Sequence, residues 1–176
     1  MSMYPEDISA MDGRWSAGEY FKDLTARNRM CQRHGFRYHT VSDLQGFADI
    51  LGDTSLQSDK AMVCVSDTSE GALDLANTPH ITQVKTVFMA MRHSITDRDR
   101  MRRREECLVI MREIFRQFMS VFTKEKEMIS LGGLYVDDKI RFSEMSRYFF
   151  SGCACVYFQI RITRWCSLEY RDDEWD

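Results

Sequence analysis

Hydrophobic and polar positions along this chain change period several times, and each change marks an element. From Tyr148 to Ile162 the even positions read Tyr148, Phe150, Ala154, Val156, Phe158, Ile160 and Ile162. The odd positions read Ser151, Cys153, Cys155, Tyr157, Gln159 and Arg161. A period of two over this length predicts one long strand, with Cys153 and Cys155 on its more polar face. Gly152 inside it suggests a bulge or a close crossing. Phe36–Val41 alternates in the same way and predicts another strand. Ala61–Val65 and Val87–Met91 are unbroken apolar runs, which fit central strands covered on both faces. The second belongs to a strand from Ile81 to Arg92.

The helical period appears in three places. Ser16 with Glu19 has capping-box spacing, and Tyr20, Phe21, Leu24, Asn28 and Cys31 follow as a partly apolar stripe. A helix over about 17–33 is expected, closed by Gly35 in the left-handed C′ position. Ser42 with Gln45 repeats the box before a short helix that buries Leu44, Phe47 and Leu51 and ends at Gly52. The longest helix is expected over about 97–122, from Met101, Leu108, Met111, Phe115, Phe118 and Phe122 with Cys107, Ile114 and Met119. Residues 66–80 hold Asp, Ser, Gly, Asn and Pro and predict the longest irregular segment. After Gly132-Gly133, Leu134–Phe142 predicts two short strands turning at Asp137-Asp138.

These elements predict an α+β domain. Its sheet would be mostly antiparallel or mixed, of four to five strands, with the long helix (about 97–122) and the N-terminal helix packed on it. Residues 1–14 form an N-terminal extension, 15–168 one domain, and 169–176 an acidic tail. The 176 residues suffice for one core, and two prolines and nine glycines leave little room for a linker. No apolar run approaches the length of a membrane helix, and MSMYPEDISAMDGRW lacks the apolar stretch of a signal peptide. A cytosolic protein with six reduced cysteines is therefore expected. A formal net charge of -3 argues against general affinity for nucleic acid.

Candidate chemistry is sparse. Cys153-Ala-Cys155 lacks the second ligand pair of a structural zinc site and the helix start that lowers a redox thiol's pKa. The other cysteines (Cys31, Cys64, Cys107, Cys166) and the histidines (His34, His39, His80, His93) are scattered. The sulfurs read as small apolar fillers. There is no nucleophile elbow and no phosphate-binding glycine loop, and Asp137-Asp138 reads as a turn. No catalytic, cofactor or metal residue is assigned. A small enzyme built on cysteines and histidines, or a monomeric or dimeric protein-binding adaptor, stands as an alternative.

Two charge clusters remain. Arg98, Arg100, Arg102, Arg103 and Arg104 crowd seven positions, flanked by Asp97, Asp99, Glu105 and Glu106. A solvated helix face with i,i+4 pairs is the plain reading, but arginines near a helix N-terminus are slightly unfavourable and suggest an acidic protein partner. The tail carries Glu169, Asp172, Asp173, Glu174 and Asp176 with one arginine and Trp175. Frayed or not, it could dock on the arginines of a neighbouring copy. Interface candidates are thus Arg98, Arg100, Arg102, Arg103, Arg104, Asp172, Asp173, Glu174 and Trp175.

The layout resembles a known class. A helical start leads to Arg33-His-Gly-Phe-Arg-Tyr-His-Thr40, a short helix with Phe47 and Leu51, and a buried strand. Val87–Met91 then feeds Thr96-Asp-Arg-Asp99 and the long helix, and Gly152 with Val156-Tyr-Phe-Gln-Ile160 closes the domain. Over about residues 15–165 this is similar to small phage- and prophage-encoded structural proteins of gut anaerobes, of the tail-terminator (tail-completion or neck) kind. The resemblance implies a non-enzymatic ring, expected as a hexamer, that caps the tail tube and meets neck or connector proteins. It would assemble in the bacterial cytoplasm and end in the virion tail. No functional residue carries over.

Overall fold

Thirteen residue pairs, from His80↔Trp165 to Arg92↔Cys153, join two antiparallel strands into the spine of the molecule. In this computed structural model, residues 16–41, 44–52, 60–66, 70–76, 78–93, 100–131, 133–144, 152–169 and 172–174 are described. The elements run α1 (Ala17–Arg27), α2 (Arg29–His34), β1 (Phe36–Val41), α3 (Leu44–Gly52), β2 (Ala61–Ser66) and β3 (Glu70–Asp74). They continue with β4 (His80–Arg92), α4 (Arg100–Leu131), β5 (Leu134–Val136), β6 (Arg141–Glu144) and β7 (Cys153–Trp165), then a 3-10 turn at Asp172–Glu174.

The class is α+β with a mixed sheet, ordered β1-β2-β4-β7-β5. Only β1 and β2 run parallel. β3 pairs with the first half of β4, and β6 pairs with the first half of β7. The sheet has seven strands, not four to five. Much of the excess is β3, which lies inside the stretch expected to be irregular. Glu-Gly-Ala-Leu-Asp has no alternation to betray it, and only its ladder to β4 makes it a strand.

One face of the sheet is covered by α1 and α4. The even residues of β7, from Ala154 to Ile162, meet Val63, Val65, Val87 and Met89 under Phe21, Leu24, Leu108, Met111, Ile114, Phe118 and Phe122. Burial of this apolar area is the main stabilising term, at roughly 25 cal/mol per Å². The opposite face is covered only at one end. There α3 lays Phe47 and Leu51 over Val41, Met62, Cys64, Phe88, Ala90, Cys153 and Cys155. The long helix and the N-terminal helix pack on the sheet as expected, and α3 adds a short third layer at the end where β7 begins.

Several boundaries move for local reasons. The N-terminal helix is broken at Asn28, whose backbone is extended (ψ 121°) and whose Oδ1 accepts from the Cys31 amide at 2.9 Å, capping α2. Ser16 accepts from the Glu19 amide at 3.5 Å, while Glu19 turns to Lys22 at 3.2 Å, so only one half of that box forms. Gln45 Nε2 donates to Asp49 at 2.8 Å, and the expected cap Ser42 lies outside the described residues. The long helix continues nine residues past Phe122. Ile129 is buried there, and Glu125 accepts from Tyr20 Oη at 2.8 Å. The proposed helix start at 97–99 and strand residues 148–151 lie outside the described residues. β5 and β6 do exist, but each pairs with β7 and not with the other.

Gly35 ends α2 at φ 70°, its amide directed at the Cys31 and Gln32 carbonyls. A Cβ there would meet nothing within 4 Å, so any cost of Gly35→Ala comes from the left-handed backbone alone. We expect a loss of roughly 1–2 kcal/mol in denaturant unfolding. An unchanged midpoint would show that the cap is dispensable.

Candidate functional site

The cysteine pair occupies the short third layer. Cys153 and Cys155 are 5% and 2% exposed, so the face expected to be polar is buried at this end, because α3 covers it. Gly152 precedes them at φ 77°, and its carbonyl accepts from the His93 amide at 2.8 Å. The glycine makes the turn into β7 and does not bulge it. Burial pushes the Cys64 thiol up to about 12, and does the same to Cys31. Burial raises Cys155 further still, and also raises Cys153 and Cys107. Such thiols are protonated at neutral pH, the reverse of a reactive cysteine. Among the described residues no three His, Cys, Asp or Glu side chains gather closely enough to hold a metal ion. His80 Nδ1 lies 3.0 Å from the Thr78 carbonyl, to which it can only donate, and its Nε2 is 3.8 Å from Asp74.

A cavity of about 470 Å³ opens on the helix-covered face beside the first turn of α1. Lys85, Arg164, Gln83, Ser66 and Tyr38 contribute polar groups, with Glu19 as its one carboxylate. No histidine or cysteine lines it. Nothing in this lining pairs a nucleophile with a base.

The charge clusters are surface features. Arg102 pairs with Glu106 at 3.3 Å in the expected i,i+4 relation, and Arg103 reaches the same carboxylate at 3.3 Å. Arg104 is half-buried, and Arg100 is the first residue of α4. Both pairs are exposed and contribute little to stability. A stronger arrangement escaped sequence reading. Arg112 clamps Glu144 bidentately at 2.6 and 2.9 Å and takes Glu105 at 2.6 Å, tying α4 to β6. This guanidinium holds the Glu144 carboxyl below the usual range. Thirty-two residues separate the two groups, so no local pattern announces them.

Asp172 and Asp173 are exposed in the 3-10 turn that also contains Glu174; Arg98 and Trp175 lie outside the described residues. Arg104 acts on Glu144 and Cys155, near the beginning of β7, whereas the acidic segment follows its end. β7 itself spans thirteen residues, roughly 40 Å.

Exposed apolar side chains also gather. Leu73, Leu75, Tyr135, Trp165 and Leu168 are all exposed, and all lie where β3 ends, β4 begins and β7 ends. Met101 and Val109 are exposed on the N-terminal half of α4 at the other end. Among the described residues no helix is long and apolar enough to cross a membrane. Compared with known proteins, the chain matches no family model and no curated sequence.

Proposed function

We propose that this chain is a non-enzymatic assembly protein that works as a ring of identical copies. The role is that of a phage or prophage tail-terminator or neck protein, capping a tail tube and meeting connector proteins. The observation that carries the reading is the polarity of the molecule. A basic end with exposed apolar residues and an acidic end with exposed apolar residues sit at opposite ends of β7. Opposite charges carried beyond the two ends of this strand can meet between copies arranged head to tail. Contacts of that type use two different surfaces and generate closed rings when the rotation closes. A terminator needs this polarity as well, since one side must fit the last tube ring and the other must refuse a further one.

Light scattering after gel filtration tests the reading. We expect an oligomer, six copies in the tail-terminator reading, at low salt, with partial dissociation in molar salt because exposed ion pairs are screened there. The paired substitution Arg102→Glu with Arg103→Glu should move the low-salt species towards monomer. A monomer at every salt concentration and every accessible protein concentration would remove the proposal.

A further inference from the structure

All five residues of β3 are exposed. Among the described residues the strand pairs with β4 alone, so no described strand occupies its outer row of N–H and C=O groups. Natural sheets blunt such edges with lysine, proline or a covering loop. β3 contains neither residue, and Leu73 is 49% exposed with Leu75 at 69% just beyond it. On the opposite margin β6 pairs only with β7 and holds Phe142 at 56% exposed. We infer that β3 of one copy adds as an antiparallel strand to β6 of a second copy. This contact rests on the self-assembly reading and supplies the surfaces for it.

Direction and side chains both fit. β3 and β7 are each antiparallel to β4, and β6 is antiparallel to β7, so β3 and β6 run oppositely. A second copy laid alongside in the same orientation therefore offers β6 antiparallel to β3. Placing Leu73 opposite Phe142 sets Asp74 opposite Arg141, Ala72 opposite Ser143 and Gly71 opposite Glu144. The faces agree as well. Leu73 lies across from Ile81, in the alternation that includes Val87 and Met89, and Phe142 lies across from Phe158. Both aromatic and leucine therefore fall on the helix-covered side, and Asp74 and Arg141 on the other.

The closed alternative is disfavoured. Two β3 strands paired about Ala72 would set Glu70 against Asp74 twice, and like charges directly opposite are destabilising. The β3–β6 contact is also staggered. Ala72 lies level with Thr163 and Ser143 with Tyr157, a shift of six residues or about 20 Å. That shift draws the arginine end of one copy towards the acidic end of the next.

Full-length protein carrying Ala72→Cys together with Ser143→Cys, mildly oxidised and run on a non-reducing gel, tests the contact. We expect a ladder of covalent multimers that needs both substitutions, with wild type as the control for the native thiols. Asp74→Arg and Arg141→Asp should each raise the dissociation constant roughly two- to fivefold, and their combination should restore it. A covalent dimer from Ala72→Cys alone, or no cross-link in a sample that light scattering shows to be oligomeric, overturns this contact and leaves the ring. A monomeric protein overturns both.

Discussion

Phe158→Ala is expected to lose about 3–5 kcal/mol of unfolding free energy, a large part of the 5–15 kcal/mol typical of a domain. Phe158 is fully buried at the middle of β7. Its ring stands 5.5 Å from that of Phe21 on α1 and 5.0 Å from that of Phe115 on α4, so one side chain joins both helices to the sheet. Removing it takes away the transferred apolar atoms and leaves a cavity that two helices anchored elsewhere cannot fill. Urea unfolding followed by circular dichroism measures the loss. Gln159→Ala, one position along and exposed, should shift the midpoint by no more than roughly 0.5 kcal/mol. Equal effects at the two positions would mean that β7 is not faced as described.

Phe47→Ala should act locally and open the thiol layer. Phe47 is fully buried and stacked on Phe88, with ring centroids 4.6 Å apart at 17°. α3 has only nine residues and few other anchors, chiefly Leu51 and the Arg92 guanidinium, which donates to the Leu51 carbonyl at 2.9 Å. A loss of roughly 3 kcal/mol at Phe47 therefore releases the short helix before the rest of the domain. At about 1.4 kcal/mol per tenfold, Cys64, Cys153 and Cys155 should react with a thiol reagent about a hundredfold faster than in wild type. Mass spectrometry of the labelled peptides measures it. In the intact protein these thiols should label slowly at neutral pH and faster as pH rises, because burial holds their pKa values high. Rapid labelling of Cys153 or Cys155 in wild type at neutral pH would instead mark a working thiol site.

What sequence reading captured was periodic and local. The even positions of β7, the unbroken runs at 61–65 and 87–91, and most of the stripe on α4 describe a surface that is buried; Met101 at the head of that stripe is exposed, and Cys107, Phe115 and Met119 are partly buried. Gly35 could be placed because only its backbone conformation matters. The misses depend on partners distant in the chain. Nothing in Glu70–Asp74 declares a strand until β4 is beside it. The face with Cys153 and Cys155 looks half polar until α3 arrives from a hundred residues upstream. The last nine residues of α4 open with the charged run Lys124-Glu-Lys-Glu127, and they stay helical beside contacts from Tyr20 and Arg27 to Glu125. The Arg112–Glu144 clamp belongs with these. The interface candidates were legible as charge runs, but their placement at opposite ends of one strand required the fold.

The pairing of β4 with β7 also governs how the molecule can come into being. His80 must find Trp165, and Arg92 must find Cys153, so every rung of the central ladder closes a loop of about sixty residues or more. Loop closure on that scale precedes its reward, and ladders of high contact order form slowly. During synthesis Val87–Met91 can pair with β2 at one edge but lacks its β7 neighbour until that strand has left the ribosome. The helix between the two strands can coil early from its own local contacts, and it would hold their ends apart along its length in the meantime. The hazard of this order is premature pairing between nascent chains.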